Sequence, residues 1–179
     1  MSVGAGARAA ALAGALFLPA CASFAPLPTV GSDELLAGRL AIRVEASGGA
    51  GARAFSAAFD LRGTAGSGTL ALSTPLGSTL AQARWRAGEV YLVTPQGRRD
   101  FATLDDLTRE VLGESLPVEA WFDWLRGRPW PGAPASGAGP EFEQLDWRVD
   151  VRRLNAGSVV AVRLAPAPPV TVRIQLEGP

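Results

Sequence analysis

The sequence predicts a mainly β domain in which one antiparallel sheet is interrupted by a short helical insertion. Three observations carry this fold class: a period-two apolar pattern from Gly38 to Phe101, a change to helical spacing at Thr103, and a return to alternation from Trp147 onward. A sheet of that length has to curl or be covered in order to bury its apolar face.

The first strand candidates are Arg39 to Glu45, Ala54 to Arg62, Gly68 to Ser73, Thr79 to Trp85 and Glu89 to Thr94. In the second, Phe55, Ala57, Phe59 and Leu61 alternate with Ser56, Ala58, Asp60 and Arg62, which makes one face dry and the other wet. Turns at Thr64-Ala65-Gly66, Ser73-Thr74-Pro75 and Pro95-Gln96-Gly97 suggest an antiparallel meander. Thr103 is a plausible helix cap, after which Leu104, Leu107, Val111 and Leu112 share one face and Gly113 supplies a stop. A second helix has Pro117 in its first turn, repeats Val118, Trp121, Phe122 and Leu125, and ends at Gly127 and Pro129. Together the two helices read as one polar-faced insertion. Residues 128–140, rich in Gly, Pro and Ala, read as a loop without assigned structure and are expected to be mobile. Beyond them Trp147, Val149 and Val151 form a dry face, Asn155-Ala156-Gly157 a turn, and Val160, Val162 and Leu164 continue the pattern before a last strand, Val170 to Leu176.

Composition bounds the function. With 179 residues, 47% hydrophobic and 19% charged, the chain describes one globular domain. A formal net charge of +0 without long runs of one sign leaves no footprint for nucleic acid. There is no His, all 17 basic residues are Arg, and Cys21 is the single cysteine, so most general-base, Schiff-base and zinc designs are absent. No cofactor or metal is expected. The acids are scattered, which argues against a carboxylate-pair glycan hydrolase.

The N-terminus carries Arg8, an apolar stretch Ala9 to Leu18, and then Pro19-Ala20-Cys21, the order of a secretory signal peptide. At about ten residues the stretch is shorter than the roughly 20 that a spanning helix needs. Leu three places before the cysteine and a small residue just before it resemble the bacterial lipobox, with Cys21 as the acylated first residue of the mature protein. The alternative is a free or buried thiol, which in an exported protein has no disulfide partner here. Residues 22–31, with Pro26 and Pro28, read as a short tether.

Leu36-Ala37-Gly38-Arg39-Leu40-Ala41-Ile42, then Phe59, then Thr74-Pro75-Leu76-Gly77-Ser78-Thr79 follow in that order, and later come Leu116-Pro117-Val118, Trp124-Leu125-Arg126-Gly127 and Trp147-Arg148-Val149. This succession, from about Leu36 to Leu154, resembles the outer-membrane lipoprotein receptor family LolB. The resemblance implies an incomplete, open antiparallel β-barrel of about eleven strands, LolA/LolB-like, covered by short helices. It divides the chain into a lipoprotein signal peptide (1–20), acylated Cys21 with its tether (21–31), and a lipoprotein-binding open-barrel domain (32–179). It further implies a monomer in the outer membrane that accepts acylated lipoprotein cargo from a LolA-type periplasmic carrier and places it in the membrane, without catalysis. Ala22 in place of Asp after the acylated cysteine implies outer-membrane sorting.

Leu76 stands at the tip of a predicted hairpin, where folding has little use for a large apolar group. It matches the hydrophobic residue that delivers cargo to the membrane in the family; the alternative is a leucine folded back on the barrel. Phe55, Phe59, Leu61, Leu72, Trp85, Trp121, Phe122, Trp124 and Trp147 are candidates for an acyl-chain cavity, against ordinary core packing for each one singly. Arg39 and Arg43 face solvent or touch cargo or carrier. Asp105, Asp106 and Glu110 favour the first helix electrostatically. A rival to transport is a lipid-anchored scaffold or assembly module that binds another protein.

Overall fold

The computed structural model describes residues 1, 35–137 and 139–178; the signal segment, Cys21 and the tether lie outside the described residues. Eleven strands form one antiparallel sheet, in the order β6-β5-β4-β3-β2-β1-β11-β10-β9-β8-β7. They are β1 Leu36–Val44, β2 Arg53–Thr64, β3 Ser67–Ser73, β4 Thr79–Arg86, β5 Glu89–Thr94, β6 Gly97–Phe101, β7 Ala135–Ser136, β8 Glu141–Gln144, β9 Trp147–Asp150, β10 Ser158–Arg163 and β11 Val170–Leu176. Because β6 and β7 each pair on one side only, the sheet is an open barrel. Two helices, α1 Leu104–Leu112 and α2 Val118–Trp124, fall between β6 and β7.

The central strands obey the period-two pattern closely. In β1, Leu36, Leu40, Ile42 and Val44 are buried while Arg39, Ala41 and Arg43 are exposed, and β2 continues the same inner face with Ala57, Phe59 and Leu61. Gly38 has to be glycine, since a Cβ there would run into the Gln175 carbonyl of β11.

Helix α1 starts as its sequence suggests. The Thr103 hydroxyl accepts the Asp106 N–H, Asp105 and Asp106 sit in the first turn, and Gly113 in the left-handed conformation closes the end by donating to the Arg109 carbonyl. Helix α2 is different from the polar-faced insertion expected: Val118, Ala120, Trp121, Phe122, Asp123 and Trp124 are all buried. It lies within the concave side of the sheet. Phe122 meets Trp85 of β4 edge to face at 6.0 Å, while Trp124 meets Phe142 of β8 at 6.5 Å and Trp147 of β9 at 6.4 Å. An aromatic seam thus joins the two halves of the sheet through α2.

Several expectations need correcting. Val111 is exposed, and Thr108 takes its place on the buried side of α1, where its hydroxyl accepts the Leu116 N–H at 3.0 Å and holds the link to α2. In β10 the faces are reversed: Val159, Ala161 and Arg163 point inward, whereas Val160 and Val162 are half-buried and Leu164 is 61% exposed. Pairing of Arg163 with Trp147 sets that register. Residues 128–140 are tied down rather than loose over much of their length. Gln144, itself buried, accepts from Trp130 N–H at 2.9 Å and donates to the Trp130 and Ala133 carbonyls at 2.7 Å each, and β7 pairs with β8. Strands β6, β7 and β8 were not among the residue-based candidates. Every residue of β6 except Phe101 is exposed, so no alternation marks it; its charges guard an open edge, with Arg98 bonded to Asp100 at 2.6 Å and Glu89 at 2.9 Å.

Candidate functional site

Five residues connect β3 to β4, and backbone hydrogen bonds brace them. Thr74 N–H donates to the Ser78 carbonyl and Gly77 N–H to the Thr74 carbonyl, both at 2.9 Å, and Ser78 N–H donates to the Thr74 hydroxyl at 3.1 Å. Gly77 supplies the positive φ of 84° that this closure requires. Above the brace Leu76 is 95% exposed, so it is not folded back on the barrel. A braced loop that holds out a leucine side chain leaves it in water, where it gains nothing for folding.

The nine cavity candidates are brought together only in part. Phe59, Leu61, Leu72, Trp85, Trp121, Phe122, Trp124 and Trp147 are all buried in one apolar interior. That interior is filled by its own side chains: the void between α2 and strands β10 and β11 is about 10 Å³, bounded by Trp121, Trp124, Leu125, Val159, Ala161, Val172 and Ile174. Phe55 is set apart. It is half-buried in a surface groove of about 390 Å³ between β1, β2 and the C-terminal end of α1, with Val44, Val111 and Leu112 as neighbours. The interior as it stands holds no void large enough for an acyl chain between α2 and strands β10 and β11, while the groove at Phe55 lies open beside the insertion.

Polar residues that pattern reading missed hold α2 in place. Arg163 projects inward from β10, 8% exposed, and its Nη2 meets Glu114 Oε2 at 2.6 Å. Arg53 of β2 approaches the other Glu114 oxygen at 3.7 Å, and the Arg163 guanidinium lies 5.6 Å from the Trp147 ring centre. Arg163 Nε has no partner. Gln144 accepts Trp124 Nε1–H at 2.8 Å, which anchors the far end of α2. The signal for Arg163 was its place in phase with Val159 and Ala161, visible once the strand's facing is known. Arg39 and Arg43 are exposed on the outer face of β1, Arg43 bonded to Glu45 at 2.7 Å. Asp106 donates its N–H to the capping Thr103 hydroxyl and pairs with Arg109, and Glu110 pairs with Arg99 of β6 at 2.7 Å, so both serve α1.

Sheet, helices and loop together define the class of open antiparallel barrels filled by a helical insertion. The family model described as outer membrane lipoprotein LolB matches residues 35–176. Proteins named outer-membrane lipoprotein LolB from Bordetella pertussis and Chromobacterium violaceum are 34% and 31% identical over 176 and 143 residues. These matches cover 90% and 75% of this chain and 87% and 76% of the respective relatives. The chain belongs to the LolB family of outer-membrane lipoproteins.

Proposed function

We propose that the protein is a receptor that takes acylated lipoproteins from a LolA-type periplasmic carrier and inserts them into the outer membrane, held there by an acylated Cys21. The observation that carries this reading is Leu76, exposed on a braced loop of a barrel whose interior is mostly apolar. Free acyl tails in water cost about 0.8 kcal/mol per CH₂, so cargo needs a sleeve throughout its passage. Tails pass from one apolar interior to another and then to the bilayer, buried at each stage. Only a modest affinity difference has to drive the transfer, with no covalent step and no nucleotide.

The filled interior supports a part for α2 in this reading. It occupies the volume an acyl chain needs, begins at Pro117 without a side-chain cap, and is held by the Arg163–Glu114 pair and by Gln144. Cargo tails replace the indole and phenyl rings of α2 against the sheet, an exchange of one apolar contact for another. Leu76 then bridges to the membrane, its burial in lipid contributing about 1.5 to 3 kcal/mol.

The test is transfer of a labelled lipoprotein from its carrier to the purified protein and onward to vesicles. Leu76→Glu is expected to fold and accept cargo but to lose delivery; undiminished delivery by that variant overturns the role of Leu76. A second reading, a lipid-anchored scaffold that binds another protein, is favoured by the void of only about 10 Å³. Mass spectrometry separates the two: co-purified lipid supports transport, and failure to accept labelled cargo supports the scaffold.

A further inference from the structure

The outer face of the sheet carries a second feature beside the Leu76 loop. A groove of about 500 Å³ runs across β2, β1, β11 and β10, floored by Ala41, Ser56 and Ala58, walled by Arg39 and Arg173, and bounded on one side by Pro75. The register explains its form. Arg39 lies opposite Gln175 and Ala41 opposite Arg173, so the two arginines are diagonal neighbours on one face, roughly 7–8 Å apart at their Cα atoms. Small residues on β2 leave the space between them open, since Ala58 faces Arg39 and Ser56 faces Ala41.

Both arginines are exposed, and neither has an acid partner among the described residues. Eight other arginines, Arg43, Arg86, Arg98, Arg99, Arg109, Arg128, Arg148 and Arg152, all lie within 3.0 Å of a carboxylate oxygen. Asp60 stands opposite Ala37, diagonal to Arg39, and is in no ion pair among the described residues.

We propose that this groove docks the headgroup of an anionic phospholipid of the bilayer, with Arg39 and Arg173 as its two cationic walls. Charge complementarity argues for the anion, and the small apolar floor admits the glycerol and first methylenes that follow a lipid phosphate. Contact with the Pro75 side of the delivery loop argues for a lipid of the bilayer rather than a free phosphate. The inference rests on the delivery reading of Leu76 for its orientation: the barrel lies with the outer face of β2, β1 and β11 toward the leaflet while Leu76 enters it. Arginine is suited to the task because its planar fork engages phosphate oxygens in pairs.

The test uses residues 21–179 carrying Cys21→Ala, so that no acyl anchor masks weaker contacts, in flotation with phosphatidylcholine vesicles containing or lacking phosphatidylglycerol. Arg39→Gln and Arg173→Gln are each expected to weaken binding to the phosphatidylglycerol vesicles about fivefold, and the double variant about 25-fold. Arg39→Lys with Arg173→Lys is expected to retain binding within about threefold, because the charge persists while the paired geometry is lost. Arg98→Gln, on the edge strand β6 four strands from β2, changes nothing. The proposal is overturned if the double glutamine variant, with an unchanged melting curve, binds like the parent, if both vesicle types bind alike, or if soluble glycerol phosphate competes in the same concentration range as vesicle lipid. The delivery reading fails separately, through Leu76→Glu in the transfer assay. Loss in one assay with retention in the other identifies which claim is wrong.

Discussion

Glu119 shows how one half-buried group sets a pH dependence. It sits in the first turn of α2, and its carboxyl is pushed above the usual carboxylate range chiefly by burial, with Asp105 adding to the effect. A carboxyl whose folded value is raised favours the folded state below its unfolded value, near about pH 4, and that contribution is lost as pH rises through the folded value. Glu119→Gln is therefore expected to raise the thermal midpoint at neutral pH, with the gain vanishing near pH 4; an equal midpoint at neutral pH counts against it. At this scale the sequence was informative where chemistry and pattern disagree openly. Leu76 stands out because a hairpin tip between Pro75 and Gly77 is a wet position for a leucine. Arg163 and Gln144 did not stand out, since each is a polar residue at an inward position and alternation reads polar as outward.

Among the elements, α2 is the one that the proposed transfer displaces, and its restraint can be tested apart from transport. Glu114 is bonded to Arg163 on one oxygen and approached by Arg53 on the other, so it ties the α1–α2 link to β10 and β2. Glu114→Gln keeps the shape but leaves the buried Arg163 without its counter-charge, at a cost of about 1–3 kcal/mol. Hydrogen exchange is expected to speed up at the amides of Ala120 to Trp124 more than in β1 or β11. Uniform acceleration would mean global destabilisation and no role for the pair in restraining α2. The legibility of the elements follows the same physics. Strands β1 to β5 and β11 and the caps of α1 were readable because one face is dry and the turns are marked. Strand β6 is solvated on both sides, β8 hides its inner face behind Gln144, and β10 was read in the wrong phase because its outward residues Val160, Val162 and Leu164 are as apolar as its inward ones. The open barrel itself came from the order of family motifs, since alternation alone does not tell how a sheet curls.

For the whole molecule, the antiparallel topology places the ends. β1 enters at Leu36 beside the β2–β3 turn, and the Leu76 loop follows the opposite end of β3. The seven residues of β3 separate those ends by roughly 23 Å along the strand. If Cys21 is fixed in the membrane while Leu76 enters the same leaflet, residues 22–35 have to run back past the barrel wall. About fourteen residues span at most about 46–50 Å when extended, which suffices. Removing residues 24–33 leaves about four, a reach of about 14 Å, which does not. The lipidated protein with this deletion is thus expected to accept cargo but to deliver little of it, while the Cys21→Ala form with the same deletion delivers as well as Cys21→Ala alone. The deletion lies outside the matched residues 35–176, so the barrel is untouched. Vesicle delivery assays on the four proteins decide the matter. Normal delivery by the shortened lipidated form would show that anchor and loop do not engage one leaflet together, and that the anchor serves only to keep the receptor at its membrane.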